Sequence, residues 1–406
     1  MKYKLSFNHI KDFGLNTVAF GVFISMQQLV IMPLLSKSNN NATFANIILF
    51  TSIFNIVCNV IGDELGNTRL VRSNIYHNKN LSGDFNIILV VLIGAFLSVC
   101  TIMNLFIRIN WMDLFYYMLL IVLGIIRCFT ISAYKLKQQF NRIFFLNILY
   151  CLGALFGVFV IKYTFNLAPF LFGELFSLIY SRIMTIVDRD HKLNVRITSE
   201  LSNTIKIYGQ LSTVSLITNC LTYLDRVLIY PILGATSMTV YYSVTAVSKI
   251  MSLVIYPISD IILAKLIHIS DLRKGKIISL IIKLLLPTFV VFTIVSISFS
   301  YLGIKLLYTN YYSEAIKLLL PIGFATSLSL ISSLIKPVIL RFFNIKNFLL
   351  VNILYVLVFC IIIIPLTDHW GILGFAWANC LTRFIQCLSF YLIIINNRSV
   401  MEEANI

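Results

Sequence analysis

The stretch from Phe348 to Leu366 reads FLLVNILYVLVFCIIIIPL and contains no charged side chain. As an α-helix it is about 28 Å long, which matches the roughly 30 Å hydrocarbon core of a bilayer. Helices are the expected form, because a lipid-exposed strand edge would leave backbone groups unpaired. Eleven similar runs lie at 14–35, 42–62, 85–107, 113–134, 143–161, 166–187, 208–230, 237–264, 277–303, 315–340 and 371–395. The sequence therefore predicts an all-α integral membrane protein of about twelve transmembrane helices.

The composition excludes several classes of protein. Hydrophobic residues make up 59% of the chain and charged residues 12%, about half the charged share of a soluble domain. The net charge of +16 comes from Lys and Arg scattered between apolar runs, so no nucleic-acid site is expected. The five histidines lie far apart and the eight cysteines form no C-x-x-C pair, so no metal site is predicted.

Loop charges predict the topology. With the amino terminus inside, twenty Lys and Arg residues fall in the cytoplasmic segments and four in the outer loops. Both termini are therefore expected in the cytoplasm. The cytoplasmic segment 188–207 would join an amino-terminal lobe of six helices, 1–187, to a carboxy-terminal lobe of six, 208–406. The outer loops are too short for a catalytic domain.

The two halves share a weak internal repeat. QQLVIMPLLS from Gln27 to Ser36 aligns with DRVLIYPILG from Asp225 to Gly234 at an offset of 198, which places Pro33 on Pro231. Chance matching in apolar sequence is the alternative. A true repeat would be parallel, with its axis along the membrane normal.

Basic residues within the predicted spans outnumber acidic ones. A charge at mid-bilayer costs about 2.5 to 3.5 kcal/mol, so each needs a reason. Lys249 is the clearest candidate for a functional charge. It lies on a polar stripe of span eight with Tyr242, Thr245, Ser252, Tyr256 and Asp260. Such a stripe faces a water-filled path or a polar seam between helices. Arg127, Lys336 and Arg383 are also deep, and together these cations predict a cationic cavity.

The intramembrane carboxylates are Glu174, Asp225 and Asp260. A buried carboxylate that exchanges access between the two sides suits a proton or sodium site. A fixed ion pair with a nearby Lys or Arg is the alternative, and both interpretations stay open at this stage.

Two segments resemble a known family. YLDRVLIYPILGATSMTVYYSVTAVSKIMSLV, residues 223–254, is similar to a segment of the Wzx-type O-antigen flippases, and Asp225, Arg226, Leu233, Gly234 and Tyr241 or Tyr242 carry the match. VIGDELGNTRLVR, residues 60–72, is similar to the end of that family's second helix. The family belongs to the superfamily of the multidrug and toxic-compound extruders (MATE) and the lipid II flippase.

The resemblance implies a MATE-like fold and a cargo, an undecaprenyl-pyrophosphate-linked oligosaccharide repeat unit flipped across the bacterial inner membrane by alternating access. It suggests membrane lipids, a polysaccharide polymerase and a chain-length regulator as partners, and H⁺ or Na⁺ coupling without another cofactor. Under this hypothesis the cargo site contains Lys249, Arg127, Lys336, Arg383, Arg226, Tyr256 and Asn379, and coupling uses Glu174, Asp260 or Asp225.

Two other functions remain. A multidrug or small-solute antiporter of the same superfamily would need a less basic cavity. A polytopic polysaccharide polymerase or glycosyltransferase would need a large outer loop with catalytic residues. We therefore expect a transporter and not an enzyme.

Overall fold

A computed structural model of the chain describes residues 7–73, 82–107, 110–161, 165–187, 197–252, 255, 258, 259, 262, 274–342 and 345–403. These residues are almost entirely helical. In chain order the helices are α1 (Phe7–Ser25), α2 (Met32–Ser38), α3 (Asn41–Val57), α4 (Glu64–Val71), α5 (Ser82–Ile107), α6 (Trp111–Leu136), α7 (Phe140–Val160), α8 (Ala168–Val187), α9 (Leu201–Ser248), α10 (Lys274–Leu307), α11 (Tyr312–Ala315), α12 (Leu319–Phe342) and α13 (Ile345–Glu403).

Ten helical stretches of the described chain are long and apolar enough to cross a membrane. The two longest, Leu201–Met251 and Leu350–Ile395, each contain one non-helical glycine, Gly234 at φ 77° and Gly371 at φ 57°. Glycine adopts these angles easily because it has no Cβ. Each break falls at or beside a boundary between two predicted spans, so the two stretches supply four crossings. The prediction of about twelve membrane helices in an all-α fold is confirmed.

Two π-helical turns interrupt the first two spans. Met26–Ile31 joins α1 to α2, and Cys58–Asp63 joins α3 to α4. A π turn inserts one extra residue and rotates the side chains that follow it, and such turns are frequent at functional sites. Gln27, a buried amide, lies on the first of them.

The chain divides into two compact units. Unit 1 is Met1–Leu34 with Leu49–Tyr223, and unit 2 is Leu35–Ile48 with Leu224–Ile406. Unit 2 thus includes the turn that follows the first span. Its contacts there are specific, since the Tyr311 hydroxyl donates to Asn41 Oδ1 at 3.0 Å and the Phe44 ring packs edge-on against Tyr242. The division of the chain into lobes at 188–207 stays a prediction.

Close packing of α7 on α8 stabilises unit 1. A Cβ on Gly153 would lie 2.3 Å from the carbonyl oxygen of Phe172, and one on Gly157 would lie 2.5 Å from Pro169 Cα. Only glycine fits either position. Residues spaced as G-x-x-x-G let two membrane helices approach closely.

Helix α9 begins at Leu201, inside the segment 188–207 that was predicted to be a linker. Residues 201–207 are therefore helical, and Leu201 and Tyr208 pack in one cluster with Leu65 and Phe85. Glu200 also pairs with Arg72 at 2.7 Å. These contacts hold a polar first turn as helix, whereas residues 188–196 lie outside the described residues.

Candidate binding site

Unit 1 contains a closed ion pair between α6 and α8. Arg127 Nε donates to Glu174 Oε2 at 2.7 Å, and the two side chains are 7% and 0% exposed. The guanidinium also lies over the rings of Phe23, at 4.5 Å, and Tyr150, at 5.3 Å. Glu174 thus forms an ion pair, and its use for ion coupling stays a prediction.

Hydrogen bonds fix the helices around this pair. Gln27 Nε2 donates to the Tyr150 hydroxyl at 2.9 Å, and Asn147 Nδ2 donates to the backbone carbonyl of Ala19 at 2.9 Å. Both bonds join the first span to α7. We call Arg127, Glu174, Gln27 and Tyr150 the first polar centre.

Unit 2 contains a looser pair. Lys249 Nζ lies 3.7 Å from Asp225 Oδ2, and the side chains are 34% and 10% exposed. Asp225 also accepts from the Tyr241 hydroxyl at 3.2 Å and from the backbone N–H of Arg226 at 2.9 Å. The lysine is therefore one of several partners of the carboxylate, and it is the partly exposed one.

Neutral groups extend this network to α13. Asn379 Nδ2 donates to the Tyr241 hydroxyl at 2.7 Å, and the Tyr355 hydroxyl donates to Asn379 Oδ1 at 3.4 Å. Two further cations lie beside it. The Arg383 guanidinium is 4.4 Å from the centre of the Tyr355 ring, and that of Arg226 is 4.7 Å from the Tyr242 ring. The second polar centre comprises Asp225, Arg226, Tyr241, Lys249, Tyr355, Asn379 and Arg383.

The two centres occur at corresponding places in the sequence. Asn-Ile-Leu-Tyr is found at 147–150 and again at 352–355, an offset of 205 that also places Glu174 on Asn379. The local bonds repeat too, because Ser177 donates to the Glu174 carbonyl and Thr382 donates to the Asn379 carbonyl. This match supports the internal repeat that was predicted from the first and seventh spans.

The structure thus distributes the predicted site residues over two units. Arg127 and Glu174 lie in unit 1, and Asp225, Arg226, Lys249, Asn379 and Arg383 lie together in unit 2. Lys336 is exposed on α12, also in unit 2, and Tyr256 and Asp260 lie outside the described residues. Two residues were missed, Tyr150 and Tyr355. The repeated Asn-Ile-Leu-Tyr was the signal that could have found them.

This arrangement suits anion binding. Within the second polar centre three cations, Lys249, Arg226 and Arg383, accompany one carboxylate, Asp225. In a medium of low dielectric such an excess attracts an anion strongly. Lys and Arg are also the side chains that bind phosphate by charge-assisted hydrogen bonds.

Comparison with solved structures identifies the fold. The chain is similar to the lipid II flippase MurJ in its inward closed conformation, with a TM-score of 0.69 and 14% identity over 96% of this chain and 91% of that one. It is also similar to a MATE protein in the bent conformation, with a TM-score of 0.65 and 11% identity over 97% of this chain and 96% of that one. The chain has a MATE-like fold.

A third similar structure is an outward-facing multidrug resistance MATE family transporter of the MOP superfamily, with a TM-score of 0.64 and 11% identity over 97% of this chain and 96% of that one. No family model and no curated protein matches the chain.

Proposed function

We propose that this protein is a flippase for undecaprenyl-pyrophosphate-linked oligosaccharide repeat units of the O-antigen or capsule type. The cargo moves from the cytoplasmic to the periplasmic leaflet of a bacterial inner membrane by alternating access, and both termini are cytoplasmic. The excess of cations in the second polar centre carries this proposal. A pyrophosphate diester has two negative charges. Moving these charges through hydrocarbon is costly unless positive charges compensate them.

The fold supports the same cargo class. One of the similar structures is a lipid II flippase. For the present chain Lys249 would bind the pyrophosphate, with Arg226 and Arg383 beside it, while the lipid tail stays in the bilayer. Asn379 and Tyr256 would contact sugar. Arg127 and Lys336 remain proposed contributors.

A multidrug antiporter is the second candidate, because several of the similar structures are MATE proteins. A proton or Na⁺ site at Glu174, Asp225 or Asp260 would then drive export. The charge of the second polar centre argues against cationic drugs, since Lys249, Arg226 and Arg383 would repel them.

Reconstitution separates these functions. The full chain is placed in liposomes with a farnesyl pyrophosphoryl sugar that has a fluorophore on the sugar, and a membrane-impermeant quencher reports its leaflet. We expect faster exchange between leaflets than in protein-free liposomes. Transport of ethidium in place of the lipid-linked sugar would identify an antiporter, and extension of the saccharide without exchange would identify a polymerase.

A further inference from the structure

We infer that Gln386 is a positioning residue of the cargo site. Together with the ring of Tyr355, it holds the guanidinium of Arg383 in one place before the anionic head group arrives. Arg383 contacts the head group, whereas Gln386 acts only through Arg383. This inference rests on the proposed function, and it names the side chains that set the geometry of one of the site's cations.

Arg383 is held from two directions. Its guanidinium lies 4.4 Å from the centre of the Tyr355 ring, and its Nη1 donates to Gln386 Oε1 at 3.1 Å. The arginine is partly exposed, and it lies close enough to Lys249 for the two charges to repel each other. A guanidinium that rests on an aromatic ring keeps the planar fork of N–H donors that matches a phosphate. Arg383 is therefore placed to meet an anion beside Lys249.

A buried bond fixes Gln386 in turn. Its Nε2 donates to Asn352 Oδ1 at 2.8 Å, and both residues are only 4% exposed. Because the nitrogen of the amide is bound to Asn352, the oxygen of the same amide is turned towards Arg383. The side chain of Gln386 is thus held at both ends of its amide group.

The ring of Tyr355 is fixed as firmly. Its hydroxyl donates to Asn379 at 3.4 Å, and the ring stacks on the buried Phe359, with centroids 6.0 Å apart and planes 7° apart. Asn352 and Tyr355 are the first and last residues of the repeated Asn-Ile-Leu-Tyr, and residues three apart lie on one face of a helix. One turn of α13 therefore supports Arg383 from both directions.

The equivalent arginine support in unit 1 is different in charge. The ring of Tyr150 lies 5.3 Å from the guanidinium of Arg127, and the carboxylate of Glu174 binds that guanidinium at 2.7 Å. In unit 2 the position of Glu174 is taken by the neutral Asn379. The ring and the amide that hold Arg383 are neutral as well, so they position its charge without neutralising it. Such support suits an anion that arrives and leaves.

The contribution of Gln386 to binding is a matter of order. An arginine side chain that must be immobilised on binding loses about twofold to tenfold in affinity compared with one that is already in place. Removal of the Gln386 amide should therefore weaken binding by that factor, and only while residue 383 is an arginine.

The test measures binding of citronellyl pyrophosphoryl-N-acetylglucosamine to the purified full chain by titration calorimetry. Gln386→Leu should weaken binding about twofold to tenfold, and Arg383→Gln about tenfold or more. In the Arg383→Gln background, Gln386→Leu should cause no further loss. A merely structural effect of the leucine would lower the affinity equally in both backgrounds.

A second variant covers the case in which Gln386→Leu fails to fold. Gln386→Asn keeps a polar amide but is one methylene shorter, so it cannot reach both Asn352 and Arg383. It should follow the same pattern in the two backgrounds. Lys317→Ala removes a positive charge from an exposed lysine elsewhere in unit 2, and it should bind the probe as the wild type does.

Three results would overturn the inference. Wild-type affinity in both folded Gln386 variants, or an equal loss in the two backgrounds, would remove the positioning role and leave the proposed function standing. Wild-type affinity in Arg383→Gln would remove Arg383 from the cargo site, and the role of Gln386 with it. A folded wild type that binds ethidium but not the probe would overturn the proposed function together with the inference.

Discussion

The first and second polar centres stand at corresponding positions in the two halves, yet their charges are held differently. Arg127 and Glu174 are in contact at 2.7 Å and almost completely buried. Lys249 and Asp225 are 3.7 Å apart, and the lysine is one-third exposed. A fork-shaped guanidinium fixes its partner, whereas an ammonium on a flexible stem does not. The pair in unit 1 is therefore tight and buried, whereas the pair in unit 2 is longer and partly exposed.

The hydrogen-bond partners of the two equivalent tyrosines, Tyr150 and Tyr355, also differ between the two centres. The Tyr150 hydroxyl accepts a hydrogen bond from the neutral Gln27, and the guanidinium of Arg127 lies over the Tyr150 ring. Tyr355 reaches Asp225 through Asn379 and Tyr241. The position of Glu174 is thus occupied in unit 2 by a neutral amide, which leaves Asp225 as the carboxylate of the second polar centre.

The largest expected effect is on the buried pair. Glu174→Ala leaves the Arg127 charge buried without its carboxylate, which should destabilise the protein by about 3 to 5 kcal/mol. Thermal unfolding in detergent measures this, with a thiol-reactive dye that reaches the buried Cys58 and Cys128 only after unfolding. The double variant Arg127→Met with Glu174→Met should recover most of the loss. A single variant as stable as the wild type would show that the pair is not structural.

Asn379→Leu should have the next largest effect. It removes the amide that joins Tyr241 to Tyr355, and two buried hydroxyls lose a partner. We expect a loss of about 1 to 3 kcal/mol in the same unfolding measurement. Leu381→Ala, two residues further on and exposed, is the control and should change stability less. An equal loss in the two variants would argue against the network.

A matched pair of tyrosine variants compares the centres directly. Tyr150→Phe removes a 2.9 Å bond to a buried amide, and Tyr355→Phe removes a 3.4 Å bond. We expect a loss of about 1 kcal/mol for the first and a smaller loss for the second. Their unfolding temperatures, recorded side by side, test this order, and the reverse order would mean that the second polar centre is the more rigid one.

The smallest effect on stability should come from Lys249→Met. Because this pair is long and partly exposed, its loss should change the free energy of unfolding by less than about 1 kcal/mol. The same unfolding assay checks it. A loss as large as that of Glu174→Ala would make the lysine structural and remove the contrast between the two centres.

Much of the fold follows from the sequence, because a charge-free run such as 348–366 has one stable form in lipid. The residues at which helices begin and end were harder to predict. Leu201 begins α9 within a polar segment, where it packs in a cluster with Leu65 and Phe85 from distant parts of the chain. Tertiary packing decided that boundary.

The charged site residues were predicted because a charge in hydrocarbon is costly and therefore conspicuous. The contacts that these charged residues make were not predicted. Tyr150 and Tyr355 lie in apolar runs, and the sequence of such a run does not show which residues face lipid and which face another helix. The pairing of Arg127 with Glu174 depends on how α6 and α8 are rotated about their axes, which a list of residues does not contain.

The most direct test of the account is the rate of leaflet exchange of the farnesyl pyrophosphoryl sugar by Lys249→Ala and Lys317→Ala in matched liposomes, normalised to inserted protein. If Lys249 holds the head group, its variant should lose about tenfold or more of the wild-type rate, while the Lys317 variant keeps it. A fully inserted Lys249→Ala protein that exchanges the lipid at the wild-type rate would contradict the assignment of the second polar centre as the cargo site.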